Sequence, residues 1–216
     1  CDVYILGSDQ IWARELTHGF DPVYFGQFAP MRKKISYAAS VPNGSIPEAE
    51  QEYFKNALAS LAHISVREEK LALAVEKLTG KEVTTVVDPT LLLEKADYED
   101  LLYKDRIVKE KYIFAYYVVE NEMLSKCAQR AAKEYGYRLI ELHYKKTPKI
   151  KGENMIFDAG PSEFLTYIRD AELVLTNSFH GTVFSVLFQK LFYSVYKENG
   201  RITNLLTFLN LERRHI

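Results

Sequence analysis

Two kinds of apolar patterning alternate along this chain. Short continuous runs give way to longer segments whose apolar positions recur at helical spacing. Val3-Tyr4-Ile5-Leu6 is apolar and β-branched and predicts a buried strand. Lys33 to Ser40 predicts a second strand that ends on small residues, which let a ligand or another element come close. Pro42-Asn43-Gly44 signals a turn. Pro47 to Leu61 repeats Phe54, Leu58 and Leu61 at helical spacing, with acids in the first turn where the helix dipole favours them. His63 to Val66 predicts a third strand, followed by a helix over Leu71 to Leu78 that Gly80 closes. Val83 to Val87 predicts a fourth strand, stopped by Pro89.

Tyr98 to Lys111 is charged and weakly periodic. It predicts a helix and then a linker, and it sets the expected domain boundary, with domains at 1–108 and 109–216. The same rhythm then starts again. Strands are predicted at Tyr112 to Val119, Tyr137 to Tyr144, Met155 to Phe157, Leu173 to Leu175 and Leu191 to Tyr196. Helices are predicted from Met123 to Tyr135, from Gly160-Pro161 through Ala171, from Gly181 onward, and from Arg201 to Leu211. Lys145 to Asn154 is a basic loop with a solvated surface. Strand and helix in alternation predict an α/β protein of two Rossmann-like domains with largely parallel sheets and a ligand cleft between them. The first apolar run begins almost at once and the chain has no initial methionine. Both point to a piece of a longer chain, its N-terminal domain incomplete.

Composition narrows the function classes. A formal net charge of -1 over 216 residues gives no argument for nucleic acid. No apolar run is long enough to span a bilayer, and no signal-peptide pattern is present. Cys1 and Cys127 supply neither a disulfide framework nor a metal quartet, which fits a reducing, cytoplasmic setting; Cys127 lies in a helical pattern and reads as core filler. Metal-binding spacings, phosphate loops of the GxxxxGK type, GxGxxG and the GxSxG elbow are all missing from the sequence.

What remains is a set of polar residues at predicted strand ends. Leu175-Thr176-Asn177-Ser178-Phe179-His180-Gly181-Thr182 runs from a strand through a polar turn into a helix, which is one way to build an anion site. Asn177 or Ser178 can cap that helix, and His180 on its first turn can bind or protonate an anion. A capped helix with a surface histidine fits the same residues. Asp9 follows Gly7-Ser8 just past the first strand, where open α/β sheets hold ligands, although Ser8 or Asp9 can equally cap a helix. Arg67 ends the third strand; its fork can hold a carboxylate or phosphate, or pair with Glu68, Glu69 or Asp88 as scaffold. Asp88 reads as a cleft acid or as a loop brace. Trp12 reads as packing rather than a sugar platform, and His63 as structural.

Five segments occur in order: Gly7-Ser8-Asp9-Gln10-Ile11-Trp12, Ser36-Tyr37-Ala38-Ala39-Ser40, Val66-Arg67-Glu68, Val87-Asp88-Pro89-Thr90-Leu91-Leu92 and Asn177-Ser178-Phe179-His180-Gly181-Thr182. Together they resemble the polysaccharide pyruvyl transferase family over nearly the whole chain. The resemblance implies a fold like the two-domain GT-B glycosyltransferases. It implies transfer of a pyruvyl group from phosphoenolpyruvate, the donor substrate, to two hydroxyls of a sugar, with no cofactor. The acceptor would be a free or lipid-linked saccharide, and the enzyme cytoplasmic, free or in peripheral contact with the inner face of the membrane. Arg67 and His180 match the family's functional positions, with Asp9 as a third. In this scheme Arg67 holds the carboxylate or phosphate, His180 donates a proton or contacts phosphate, and Asp9 is the base. Ser8, Gln10, Asn177, Ser178, Gly181 and Thr182 are the candidate substrate-binding residues. Two other functions fit the same elements: a glycosyltransferase using a sugar nucleotide, and a non-catalytic carbohydrate-binding protein.

Overall fold

The structure, a computed structural model, describes residues 2–29, 33–144, 154–197 and 199–216. Cys1 and all of the expected basic loop except Asn154 lie outside them. The chain divides into two compact units, Cys1–Leu92 and Leu93–Ile216.

In the first unit β1 (Val3–Leu6) pairs in parallel with β2 (Lys33–Ser36), and β3 (Ile64–Val66) pairs in parallel with β4 (Val83–Thr85). Parallel bridges from Ile35 to His63 and from Ala39 to Val66 set β2 beside β3. Helices α1 (Gln51–Leu58) and α2 (Glu69–Thr79) lie between the strands in sequence, and α2 ends on Gly80 in the left-handed conformation. The core gathers Trp12, Phe25, Phe54, Leu58, Leu71 and Val75. Trp12 is buried, stacks on Phe25 at 5.8 Å and gives its Nε1 hydrogen to the Tyr24 carbonyl, so it packs as expected and offers no platform.

Three expectations change here. β1 forms, but Ile5 is 65% exposed, because no described residue covers its side of the strand. β2 stops at Ser36 rather than Ser40, since Ala38 turns to φ 51. The small residues after it admit neighbouring backbone: Ala39 bridges both Asp9 and Val66, and a Cβ on Gly7 would stand 2.5 Å from the Tyr37 carbonyl oxygen. No helix is capped by Ser8 or Asp9. The chain turns instead, with Asp9 at φ 60, a conformation aspartate tolerates better than most residues.

In the second unit five parallel strands run in the order β7-β6-β5-β8-β9: β5 (Tyr112–Tyr117), β6 (Arg138–His143), β7 (Met155–Ile156), β8 (Leu173–Thr176) and β9 (Phe192–Ser194). Between or after them come α3 (Glu122–Tyr135), α4 (Pro161–Asp170), α5 (Phe179–Leu187) and α6 (Gly200–Phe208). Alternation along β5 sends Ile113, Ala115 and Tyr117 to the α3 side, against Leu124 and Ala128. Phe114 stacks on Tyr167 of α4 at 5.4 Å. The segment 98–111, expected to hold a helix, carries only a 3-10 stretch over Lys95–Leu101. Tyr98 packs edge-on against Phe184 at 5.3 Å, which ties this segment to the second unit. Strand order reverses between β5 and β8, so their carboxyl ends flank the switch point where sheets of this kind bind ligands.

Candidate functional site

The first unit brings Asp9 and Arg67 together. Arg67 leaves the end of β3 with a side chain only 4% exposed. Its Nη2 donates to Asp9 Oδ1 at 2.9 Å, its Nη1 to Asp88 Oδ2 at 2.6 Å and its Nε to Glu68 Oε1 at 3.4 Å. Each partner is itself held. Glu68 Oε1 accepts from Ser40 Oγ at 2.7 Å, and Asp88 Oδ1 accepts from both the amide and the hydroxyl of Thr90. Ser8 Oγ donates to the Ala38 carbonyl and lies 3.4 Å from Asp88 Oδ2. Gln10 is half-buried, and its carbonyl accepts from the Ala13 amide.

Charge decides what this cluster can do. One guanidinium faces three carboxylates, so the fully ionised group carries an excess of negative charge. Burial alone would push the Asp88 carboxyl up, but hydrogen bonds from Thr90 and the Arg67 guanidinium outweigh it and hold the group below its ordinary value. Burial, with Asp88 nearby, pushes the Tyr37 hydroxyl up. A cluster with carboxylates in excess among the described residues suits proton transfer and the binding of hydroxyls. Asp9 is the exposed member, its side chain 53% accessible against 2% for Asp88 and Glu68.

The second unit carries the other candidates, at the carboxyl end of β8. Asn177 accepts the Val118 amide on Oδ1 at 2.9 Å and donates from Nδ2 to the Val119 carbonyl at 2.7 Å, which fastens the loop after β5. Ser178 caps α5: its Oγ accepts the Gly181 amide at 3.1 Å. Thr182 donates to the Ser178 carbonyl and shares a hydrogen bond with Ser194. A Cβ on Gly181 would stand 2.6 Å from Thr176 Oγ1, so a side chain does not fit there. Asn177, Ser178 and Thr182, expected to bind substrate, thus have side-chain bonds within the unit and shape the turn. His180 lies half-buried on the first turn of α5, its ring edge-on to Phe179 at 5.3 Å.

Asp9, Arg67 and His180 therefore fall into two local arrangements, one in each unit. Sequence reasoning weighed Glu68 and Asp88 as partners of Arg67 without choosing them as site residues, and gave Ser40 no part in the site. The available signal was an acid just past the ends of β1 and β4, with the arginine and a further acid at the end of β3.

A family model described as polysaccharide pyruvyl transferase matches residues 1–197. Comparison with curated proteins finds no match. Among solved structures the chain is similar to one described as a UDP-N-acetylglucosamine 2-epimerase from Listeria monocytogenes, with a TM-score of 0.56 and 9% identity. The alignment covers 99% of this chain and 66% of that one, so the chain spans slightly less than two thirds of its length. At that identity the likeness establishes the fold alone, α/β with parallel sheets and GT-B-like.

Proposed function

The chain belongs to the polysaccharide pyruvyl transferase family, and from that premise we propose that it moves a pyruvyl group from phosphoenolpyruvate onto two hydroxyls of a sugar. The product is a ketal, and inorganic phosphate is released. The observation that carries the reading is the family match over residues 1–197; the Asp9–Arg67 geometry supports it.

Phosphoenolpyruvate becomes electrophilic when its methylene carbon takes a proton, which leaves positive charge on the central carbon. A sugar hydroxyl attacks that carbon and loses its proton. Phosphate then leaves with the electrons of its carbon–oxygen bond, and the second hydroxyl closes the ring and loses its proton in turn. One proton ends on the new methyl group and the balance leaves with phosphate.

Asp9 accepts the proton of the attacking hydroxyl: it is the solvent-reaching carboxylate of the Arg67 cluster and its direction is fixed by Nη2. Arg67 is already engaged by three carboxylates of its own chain, so its part is to hold Asp9. Charge on the anionic donor falls to the start of α5, where the helix dipole is positive and His180 can donate a proton or a hydrogen bond. Asn177, Ser178 and Thr182 keep that helix start in place. The acceptor is a saccharide, free or lipid-linked; no helix among the described residues is long and apolar enough to cross a membrane.

The test is phosphate release from phosphoenolpyruvate across a panel of saccharide acceptors, with the ketal methyl group followed by NMR. Turnover is expected from the unaltered chain and none from His180→Ala. Near wild-type turnover in that variant, or stabilisation by sugar nucleotides in a thermal-shift series in which phosphoenolpyruvate has no effect, overturns the reading.

A further inference from the structure

We propose that Asp88 is a positioning residue for Asp9: through the guanidinium they share, it sets both the direction of the Asp9 carboxylate and the pH at which that carboxylate takes a proton. The proposal rests on the reading of Asp9 as the base.

The argument begins with the fork. Nη1 and Nη2 lie in one rigid plane, so a bond that fixes one fixes the line of the other. Nη1 is bound to Asp88 at 2.6 Å and Nη2 to Asp9 at 2.9 Å. Asp88 is a firm anchor. One of its oxygens takes two hydrogen bonds from Thr90, the other takes Arg67 and faces Ser8 Oγ at 3.4 Å, and the side chain is 2% exposed. Glu68 holds Nε and is itself bonded to Ser40. Asp9, by contrast, has an exposed side chain on a turn at φ 60, its backbone bridged to Ala39, and its Oδ1 is bound by the guanidinium.

Charge is the second half. An aspartate bound to an arginine alone is a weak base, because the opposite charge stabilises its ionised form. Asp88 is a like charge on the other side of the same fork and offsets part of that pull. The charged groups arranged about Asp9 include Arg67 at the end of β3, Glu68 beside it, and Asp88 beyond β4. Tyr37, after β2, faces Asp88 and gives its hydroxyl hydrogen to the Val87 carbonyl. Removing the Asp88 charge leaves Arg67 to act more strongly on Asp9. Its basicity falls and its direction loosens.

The experiment is a carboxyl NMR titration of the whole chain, with the Asp9 signal assigned by its loss in Asp9→Asn. In Asp88→Asn the Asp9 midpoint is expected to move to lower pH. The acid limb of the kcat/KM profile should follow it, with kcat/KM down about ten- to a hundredfold. The double variant Asp9→Asn/Asp88→Asn is expected to be no slower than Asp9→Asn alone. An unmoved Asp9 midpoint in folded Asp88→Asn, or losses that multiply in the double variant, overturns the proposal. Should Asp88→Asn not fold, Asp88→Glu keeps the charge and changes its position: kcat/KM should drop while the Asp9 midpoint stays, and wild-type kcat/KM there sinks the idea. The titration needs no turnover. A chain that releases no phosphate from phosphoenolpyruvate therefore ends the pyruvyl-transfer reading and leaves the coupling of Asp88 to Asp9 to be judged from the midpoint.

Discussion

Thr176 Oγ1 lies 2.6 Å from where a Cβ on Gly181 would begin. Thr176 cannot give way easily, because the same hydroxyl donates to the Tyr116 carbonyl at 2.9 Å and accepts the Ser178 amide at 3.0 Å. Gly181→Ala is therefore expected to cost about 1–3 kcal/mol as an overpacked contact. Urea denaturation checks this. In the Thr176→Ala background the added methyl should cost clearly less, and an equal cost in both backgrounds would show that the contact is not the cause.

Arg67 predicts a different kind of loss. Arg67→Ala leaves Asp88 and Glu68 buried with their shared cation gone, which is expected to cost about 3–5 kcal/mol. The loss should shrink as pH falls into the carboxylate range, because protonation removes the repulsion. Denaturation midpoints for the variant and the parent, measured across pH, test both statements. A pH-independent difference would assign the loss to packing.

His143 supplies a pH dependence at milder values. Its ring lies 4.3 Å from Tyr117 and nearly parallel to it, with Phe157 also stacked, and its Nε2 has no hydrogen-bond partner among the described residues. Burial holds its pKa below the ordinary 6.5, against a weaker opposite pull from Glu141 and Glu120. The unfolded chain thus binds a proton that the folded chain refuses, so stability should decline as pH drops below 6.5 and level off once the folded form also protonates. Asp88 adds its own decline only in the more acid range, below its ordinary 3.8. His143→Phe keeps a stacking ring and should flatten the upper part of the curve; an unchanged curve refutes the assignment.

The parallel α/β order was legible because apolar runs and helical periodicity are local signals. Gly80 and Gly136 each close a helix in the left-handed conformation, as their places after a periodic run foretell. The Ser178 cap was legible for the same reason. Contacts between residues distant in sequence were not. Nothing near Arg67 in the sequence says that Asp9, 58 residues away, is its partner, or that Asp88 outlasts its own desolvation through Thr90. The openness of Ile5 was hidden too, because an apolar strand reads as buried whether or not anything covers its outer side. The bonds that Asn177 and Thr182 make within the unit were not legible either, because small polar residues at a strand end serve binding and scaffolding equally well.

The two bonds of Asn177 stitch the exit of β5 to the entrance of α5. Neither lip of the turn can drift while both hold, so the Val118 amide should be among the slowest to exchange with deuterium outside the sheet itself. Under the proposed function, an anion arriving there would meet a seat already set, without the entropy cost of ordering a loose loop.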